Sequence, residues 1–168
     1  GAMVTNDPDL AEQVRMLRNY GEKKKYEHVM LAYNRRLDTV QAAVLKIKAP
    51  HLDGWNDRRR DAAAKYRELL TGKGLELPPG APSGSEHVWY MFVVRAKDRD
   101  AKMARLKEAG IETGIHYPYP LHLLPVFESF GHKAGSFPVA ESLAAEAFSL
   151  PMFPGITDAE LSRVAAAL

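Results

Sequence analysis

The run Val88-Trp89-Tyr90-Met91-Phe92-Val93-Val94 constrains the fold more than any other stretch of these 168 residues. Successive side chains of a strand point to opposite sides, and here both sides are apolar, so the run reads as a strand buried on both faces. Such a strand needs helices to cover it. Asp98 is placed to cap one, carrying Met103, Leu106 and Ala109 and closed by Gly110. Ile111 to Tyr117 then reads as a second strand. The order strand, helix, strand predicts an α/β or α+β chain.

Further helices are expected on both sides of this unit. Asp7-Pro8-Asp9 opens one with a capping carboxylate and an early proline, and Leu10, Val14 and Leu17 follow at helical spacing towards Gly21. Residues 21–28 are polar and aperiodic and read as a loop. Leu37, Val40, Val44 and Ile47 form one stripe of a second helix that Pro50 ends or kinks. A third runs from about Asp53 to Leu70, and its Arg58-Arg59-Arg60 run reads as a solvated face. Residues 71–86, rich in Gly, Pro and Ser, form a surface connection. Phe137-Pro138 opens a helix with Leu143 and Ala147 inward, and Thr157 with Glu160 fits a capping box ahead of Leu161, Val164 and Leu168.

Composition removes several function classes. Without cysteine there is no disulfide framework, thiolate zinc site or cysteine nucleophile. A net charge of +2 with no clustered basic face gives no case for nucleic acid. No apolar run reaches membrane-spanning length and no signal peptide is recognisable, so a cytoplasmic protein with no membrane partner is expected. Glycine-rich nucleotide loops, a Gly-x-Ser-x-Gly elbow and a His-Glu-x-x-His zinc motif are all missing.

Three clusters could carry chemistry. Tyr33-Asn34-Arg35-Arg36-Leu37-Asp38 precedes a long helix, where an amide, two guanidinium groups and free backbone N–H groups could bind a phosphate. Equally, Asn34 and Asp38 could cap the helix and leave the arginines in solvent. Thr113-Gly114-Ile115-His116-Tyr117-Pro118-Tyr119-Pro120-Leu121-His122 places two imidazoles and two phenols on a stretch stiffened by prolines. Glu112 and Glu128 follow no metal-ligand spacing relative to these histidines, so no metal site is expected. The group reads either as a ligand loop or as half-buried side chains bonded to backbone. Ser149-Leu150-Pro151-Met152-Phe153-Pro154 reads as apolar packing with proline turns and no chemistry.

Taken in order, these clusters resemble the DegT/DnrJ/EryC1/StrS family of pyridoxal-phosphate-dependent nucleotide-sugar aminotransferases. The resemblance runs through Val4-Thr5-Asn6-Asp7, Arg15-Met16-Leu17-Arg18-Asn19-Tyr20-Gly21, Tyr33 to Asp38 with Gln41-Ala42-Ala43, His87-Val88-Trp89-Tyr90, Thr113 to Pro118 with Pro120-Leu121-His122, and Ser149 to Met152. It implies a fold-type I architecture, with residues 1–50 ending the large cofactor domain and supplying a dimer-interface segment. Residues 51–168 would then form the small C-terminal α/β domain.

The resemblance also assigns residues. Asn34 matches an amide that reaches the cofactor phosphate of the partner in a homodimer. His116 and Tyr117 match the loop lining the nucleotide-sugar pocket, with His122 a weaker candidate beside them. Arg36 matches an arginine that is structural or phosphate-adjacent. The Schiff-base lysine and the acid that pairs with the pyridine nitrogen are expected upstream of Val4, and Lys46 and Lys48 have no supporting motif. The 168 residues alone are therefore expected not to turn over substrate. The whole enzyme would move an amino group, usually from glutamate, onto a keto-sugar carried by UDP or dTDP. The Gly-Ile-His-Tyr-Pro form leans towards a 3-keto sugar. A sugar dehydratase of the same fold and a non-catalytic module pairing with a full-length subunit are the alternatives.

Overall fold

In the computed structural model, which describes residues 1–168, Asp7 opens the first helix as its sequence predicts. Its Oδ1 accepts the N–H groups of Asp9 and Leu10 at 2.9 and 3.1 Å, and helix α1 runs Pro8–Arg18. The stretch expected to be a loop instead forms a small antiparallel hairpin, β1 (Glu22–Lys24) with β2 (Glu27–His28). Polar contacts close it. The Glu22 carboxylate accepts Asn19 Nδ2 at 3.0 Å and the N–H of Tyr26 at 3.2 Å. No apolar alternation marks strands of this kind, which is why periodicity passes over them. Gly21 is required at its start: φ is +72°, and a Cβ there would stand 2.0 Å from the Met30 carbonyl oxygen.

Helix α2 spans Thr39–Lys48 and passes into a single 3₁₀ turn, Ala49–His51, at Pro50. Asp38 holds its N-cap position but makes no side-chain capping bond. The predicted apolar stripe forms and stays on the surface, with Val40 75% and Ile47 70% exposed. These elements make one compact unit, Gly1–Pro50, and the remaining residues, His51–Leu168, make a second.

The second unit begins with α3 (Leu52–Leu70). Its arginine run is not a free solvated face: Arg60 pairs with both Asp57 and Glu86, and Arg59 donates to Asn56 Oδ1 at 3.2 Å. Strand β3 covers only Phe92–Arg95, shorter than the run that predicts it. Trp89 explains the loss. Its φ of 47° lies in the left-handed region, its ring stacks on His87 at 4.1 Å, and its backbone N–H donates to His87 Nδ1 at 2.8 Å.

Helix α4 (Arg99–Glu108) follows, without a side-chain cap from Asp98, and turns out through Gly110 at φ 71°. Ile111–Tyr117 is not a strand. Only Gly114 pairs, in a single bridge to Ser149, before Pro118 and Pro120 remove the donors a ladder needs. Two 3₁₀ segments, Leu121–Leu123 and Pro125–Phe130, lead to α5 (Pro138–Glu146). Ala147 does not extend that helix but starts β4 (Ala147–Leu150). Helix α6 (Asp158–Ala166) closes the chain behind the predicted capping box, with Thr157 Oγ1 accepting from Glu160 N and Glu160 Oε2 from Thr157 N.

Strands β3 and β4 pair antiparallel, Phe92 with Leu150, Val93 with Ser149, Val94 with Phe148 and Arg95 with Ala147. The register divides two faces. Phe92, Val94, Phe148 and Leu150 are buried in the core with Tyr66 and Leu70 of α3, Leu106 of α4, and Leu161 and Val164 of α6. Each large apolar side chain buried this way contributes about 1.5–3 kcal/mol. Tyr66 spans the core, its ring 4.9 Å from that of Phe92 and its hydroxyl donating to the Pro151 carbonyl at 2.9 Å. Burial, with the charge of Glu160, pushes its pKa up, so it stays a donor. The other face carries Val93, Ser149, Arg95 and Ala147, and it is this face that builds the site.

Candidate functional site

Val93 and Ala147 form the floor of a cleft of about 730 Å³. One wall is Tyr117, Tyr119, Leu121 and Leu124, and the other is Ala140, Leu143 and Ala144 of α5. His116 lines it as well, and no carboxylate or guanidinium group does. The prolines at 118 and 120 hold this wall extended, so the aromatic side chains are presented at little further entropic cost.

His116 is fixed from below. Its Nδ1 lies 2.9 Å from Ser149 Oγ, on the buried residue of β4 that bridges Gly114. The ring sits so close to Gly114 that a Cβ there would meet His116 Cε1 at 2.8 Å. His116 and Tyr117 are joined by a cis peptide bond, and their rings meet edge-on at 5.7 Å. Tyr117 is 77% exposed. With Nδ1 held, the second ring nitrogen remains for a ligand, beside two phenols and an apolar floor. This arrangement suits binding through hydrogen bonds and ring contacts.

The other predicted residues fall elsewhere. His122 does not line the cleft: its side chain is 8% exposed and its Nε2 lies 3.0 Å from Glu141 Oε1. The Gly135 N–H holds the Glu141 carboxyl below its ordinary pKa, with the Phe137 N–H and His122 adding to this. Asn34 belongs to the first unit. Its segment is tied to the end of α1 by Tyr33 N to Leu17 O at 3.0 Å and Arg35 N to Arg18 O at 2.8 Å. Asn34 Oδ1 accepts from Arg36 Nε at 3.3 Å, and the Arg36 guanidinium lies over the Tyr20 ring at 5.2 Å. Neither Asn34 nor Asp38 caps α2 with its side chain, so the capping alternative falls away.

Ser149 opens the cluster read from the sequence as packing without chemistry, yet its hydroxyl holds His116, and Glu141 was not singled out at all. Ser149 carried one usable signal, a lone hydroxyl inside the buried run Phe148-Ser149-Leu150, where a polar group needs a partner. Glu141 carried none beyond its place in the first turn of a helix. No helix is long and apolar enough to cross a membrane.

The model of the DegT/DnrJ/EryC1/StrS aminotransferase family matches residues 1–168. A pleiotropic regulatory protein of Geobacillus stearothermophilus is 49% identical over 160 residues, covering 94% of this chain and 43% of that protein. A dTDP-3-amino-3,4,6-trideoxy-alpha-D-glucose transaminase of Streptomyces venezuelae is 47% identical over 165 residues, 98% of this chain and 43% of the relative. The crystal structure of DesV from S. venezuelae in complex with a ketimine intermediate superposes with a TM-score of 0.91 at 46% identity, covering 98% of this chain and 44% of that one. The chain thus spans less than half the length of the relatives it matches. With the family's model matched from end to end and its fold shared with DesV, the chain belongs to the DegT/DnrJ/EryC1/StrS aminotransferase family.

Proposed function

We propose that residues 1–168 are the C-terminal portion of a pyridoxal-phosphate-dependent aminotransferase that passes an amino group from a donor such as glutamate to a nucleotide-linked keto-sugar. In this reading the cleft beside His116 and Tyr117 receives the nucleotide-sugar. The observation that carries it is the held imidazole: Ser149 Oγ stands 2.9 Å from His116 Nδ1 in a cleft with one aromatic wall. With Nδ1 engaged by Ser149 Oγ, Nε2 is the ring nitrogen left to hydrogen-bond the ligand. Tyr117 and Tyr119 offer hydroxyls and ring faces, and the apolar floor suits a deoxygenated sugar edge, since an unpartnered buried hydroxyl costs about 1–3 kcal/mol. The name of the S. venezuelae transaminase, a 3-amino and deoxygenated sugar, agrees with amination at C3.

The cofactor is the family's, and the residues here fit one edge of it. Asn34 is exposed and its oxygen is engaged by Arg36, which leaves its amide N–H groups to donate to an acceptor such as a phosphate. Asn34 would hold the phosphate in a partner subunit of a homodimer, with Arg36 orienting the amide. Bound there, pyridoxal phosphate supplies the electron sink for amino transfer. In this reading Lys46 and Lys48, exposed on α2, are not the Schiff-base lysine, and full turnover belongs to the longer protein. The test is an assay of the full-length protein with glutamate and a dTDP-linked 3-keto sugar. Formation of the amino-sugar supports the reading. Dehydration of the sugar without nitrogen transfer would replace it with the dehydratase alternative.

A further inference from the structure

The two walls of the cleft come from separate segments, and one carboxylate joins them. Leu121 and Leu124 flank His122 in one wall, and Ala140, Leu143 and Ala144 flank Glu141 in the other. Glu141 Oε1 lies 3.0 Å from His122 Nε2. Both oxygens of the same carboxylate accept the N–H of Gly135 at 2.9 Å, and Oε1 also accepts that of Phe137 at 3.2 Å. Three stretches of chain therefore converge on a single side chain: the 3₁₀ turn, the loop ahead of α5 and the first turn of α5. The Phe137 ring closes over the junction, 4.8 Å from the His122 ring and 4.9 Å from that of His132. The pair is shielded, with 8% of the His122 and 25% of the Glu141 side chain exposed.

A glutamate in the first turn of a helix commonly accepts backbone N–H groups, and that alone would make Glu141 a cap. A cap has no need of an imidazole from another segment. The bond to His122 crosses from one wall to the other, and hydrogen bonds to an ionised group are short and strong.

We propose that Glu141 and His122 form a positioning pair that fixes the separation of the cleft walls, and so acts on ligand affinity rather than on the chemical step. The proposal rests on the reading of the cleft as the nucleotide-sugar site. His122, whose place in the sequence suggests a ligand contact, then acts through Glu141.

His122→Phe in the full-length protein tests it, because this change keeps a ring against Phe137 and leaves the backbone bonds of Glu141 intact. The KM for a dTDP-linked 3-keto sugar should rise roughly tenfold, as expected when one charge-assisted bond is lost, with kcat within about twofold of wild type. Amides of residues 121–124 should exchange hydrogen faster, while those of Gly135 and Phe137 stay protected. Glu141→Ala should expose all of them, and the double variant should show no larger KM than Glu141→Ala. A wild-type KM in active His122→Phe protein overturns the proposal. If the wild-type protein proves inactive on such sugars, the functional reading fails alone, and exchange decides the pair: unchanged amides at 121–124 in His122→Phe overturn it.

Discussion

Ser149 Oγ and His116 Nδ1 stand 2.9 Å apart, across a strand register that sets Ser149 opposite Val93 and bridges it to Gly114. The contact joins a sheet residue to a loop residue 33 positions away and gives the loop a rigid foundation. It has a direct consequence. Ser149→Ala should leave the core intact, because Ser149 belongs to the cleft face of β4, yet free the imidazole to rotate. We expect ligand affinity in the full-length protein to fall by about 1 kcal/mol, the worth of one ordinary hydrogen bond, with a smaller change in thermal stability. Titration calorimetry with a dTDP-sugar checks the first part and thermal unfolding the second.

Gly114 should prove less tolerant than its backbone suggests. An alanine Cβ would stand 2.8 Å from His116 Cε1, closer than side chains approach one another, so the imidazole must swing away from Ser149. Gly114→Ala is expected to weaken nucleotide-sugar binding at least as much as Ser149→Ala. A crystal structure of the variant with His116 still at hydrogen-bond distance from Ser149 would show this expectation to be mistaken.

Acid should loosen the second unit through three carboxylates. Glu141, held by Gly135, Glu146, held by Arg95, and Glu160, held by Thr157, each have a pKa lowered from 4.5 in the folded chain. A depressed folded pKa contributes stability that is present above the unfolded value and lost as pH falls through the folded one. Stability should therefore decline from about pH 5 downwards, and the triple variant with glutamine at 141, 146 and 160 should decline less steeply. Denaturant unfolding across this range measures the slopes, and equal slopes would contradict the assignment.

Asn34→Ala addresses the first unit. Asn34 is exposed and its segment is held by backbone bonds of Tyr33 and Arg35, so folding should be little affected. Cofactor retention by the full-length protein should weaken by about 1.5–3 kcal/mol, the range for a hydrogen bond to a charged group. Dialysis followed by absorbance of the retained pyridoxal phosphate gives the answer.

What the sequence could and could not disclose follows from how each element is held. Helices with their own end signals were legible: Asp7 ahead of α1 and the Thr157–Glu160 box ahead of α6 form as their residue types require. Elements held by distant partners were not. Strand β4 follows α5 without a turn residue, and its four residues become a strand only because β3 lies beside them. The hairpin of β1 and β2 depends on Glu22 bonding to Asn19 and Tyr26, a contact without periodicity. The same division holds at the site. The loop's imidazoles and phenols marked a stretch that could bind a ligand, the resemblance picked out His116 and Tyr117 within it, and both line the cleft. Ser149 and Glu141 hold that loop from 33 and 19 positions away, measured to His116 and His122, and only the fold brings them there.

The cleft beside His116 and Tyr117 is the proposed binding place of the nucleotide-sugar. Calorimetric titration of a dTDP-sugar into the full-length protein, and into its His116→Ala, Tyr117→Ala double variant, tests this most directly. A dissociation constant raised roughly tenfold or more in a variant that unfolds at the wild-type temperature is the predicted result. The same dissociation constant in both proteins would contradict it.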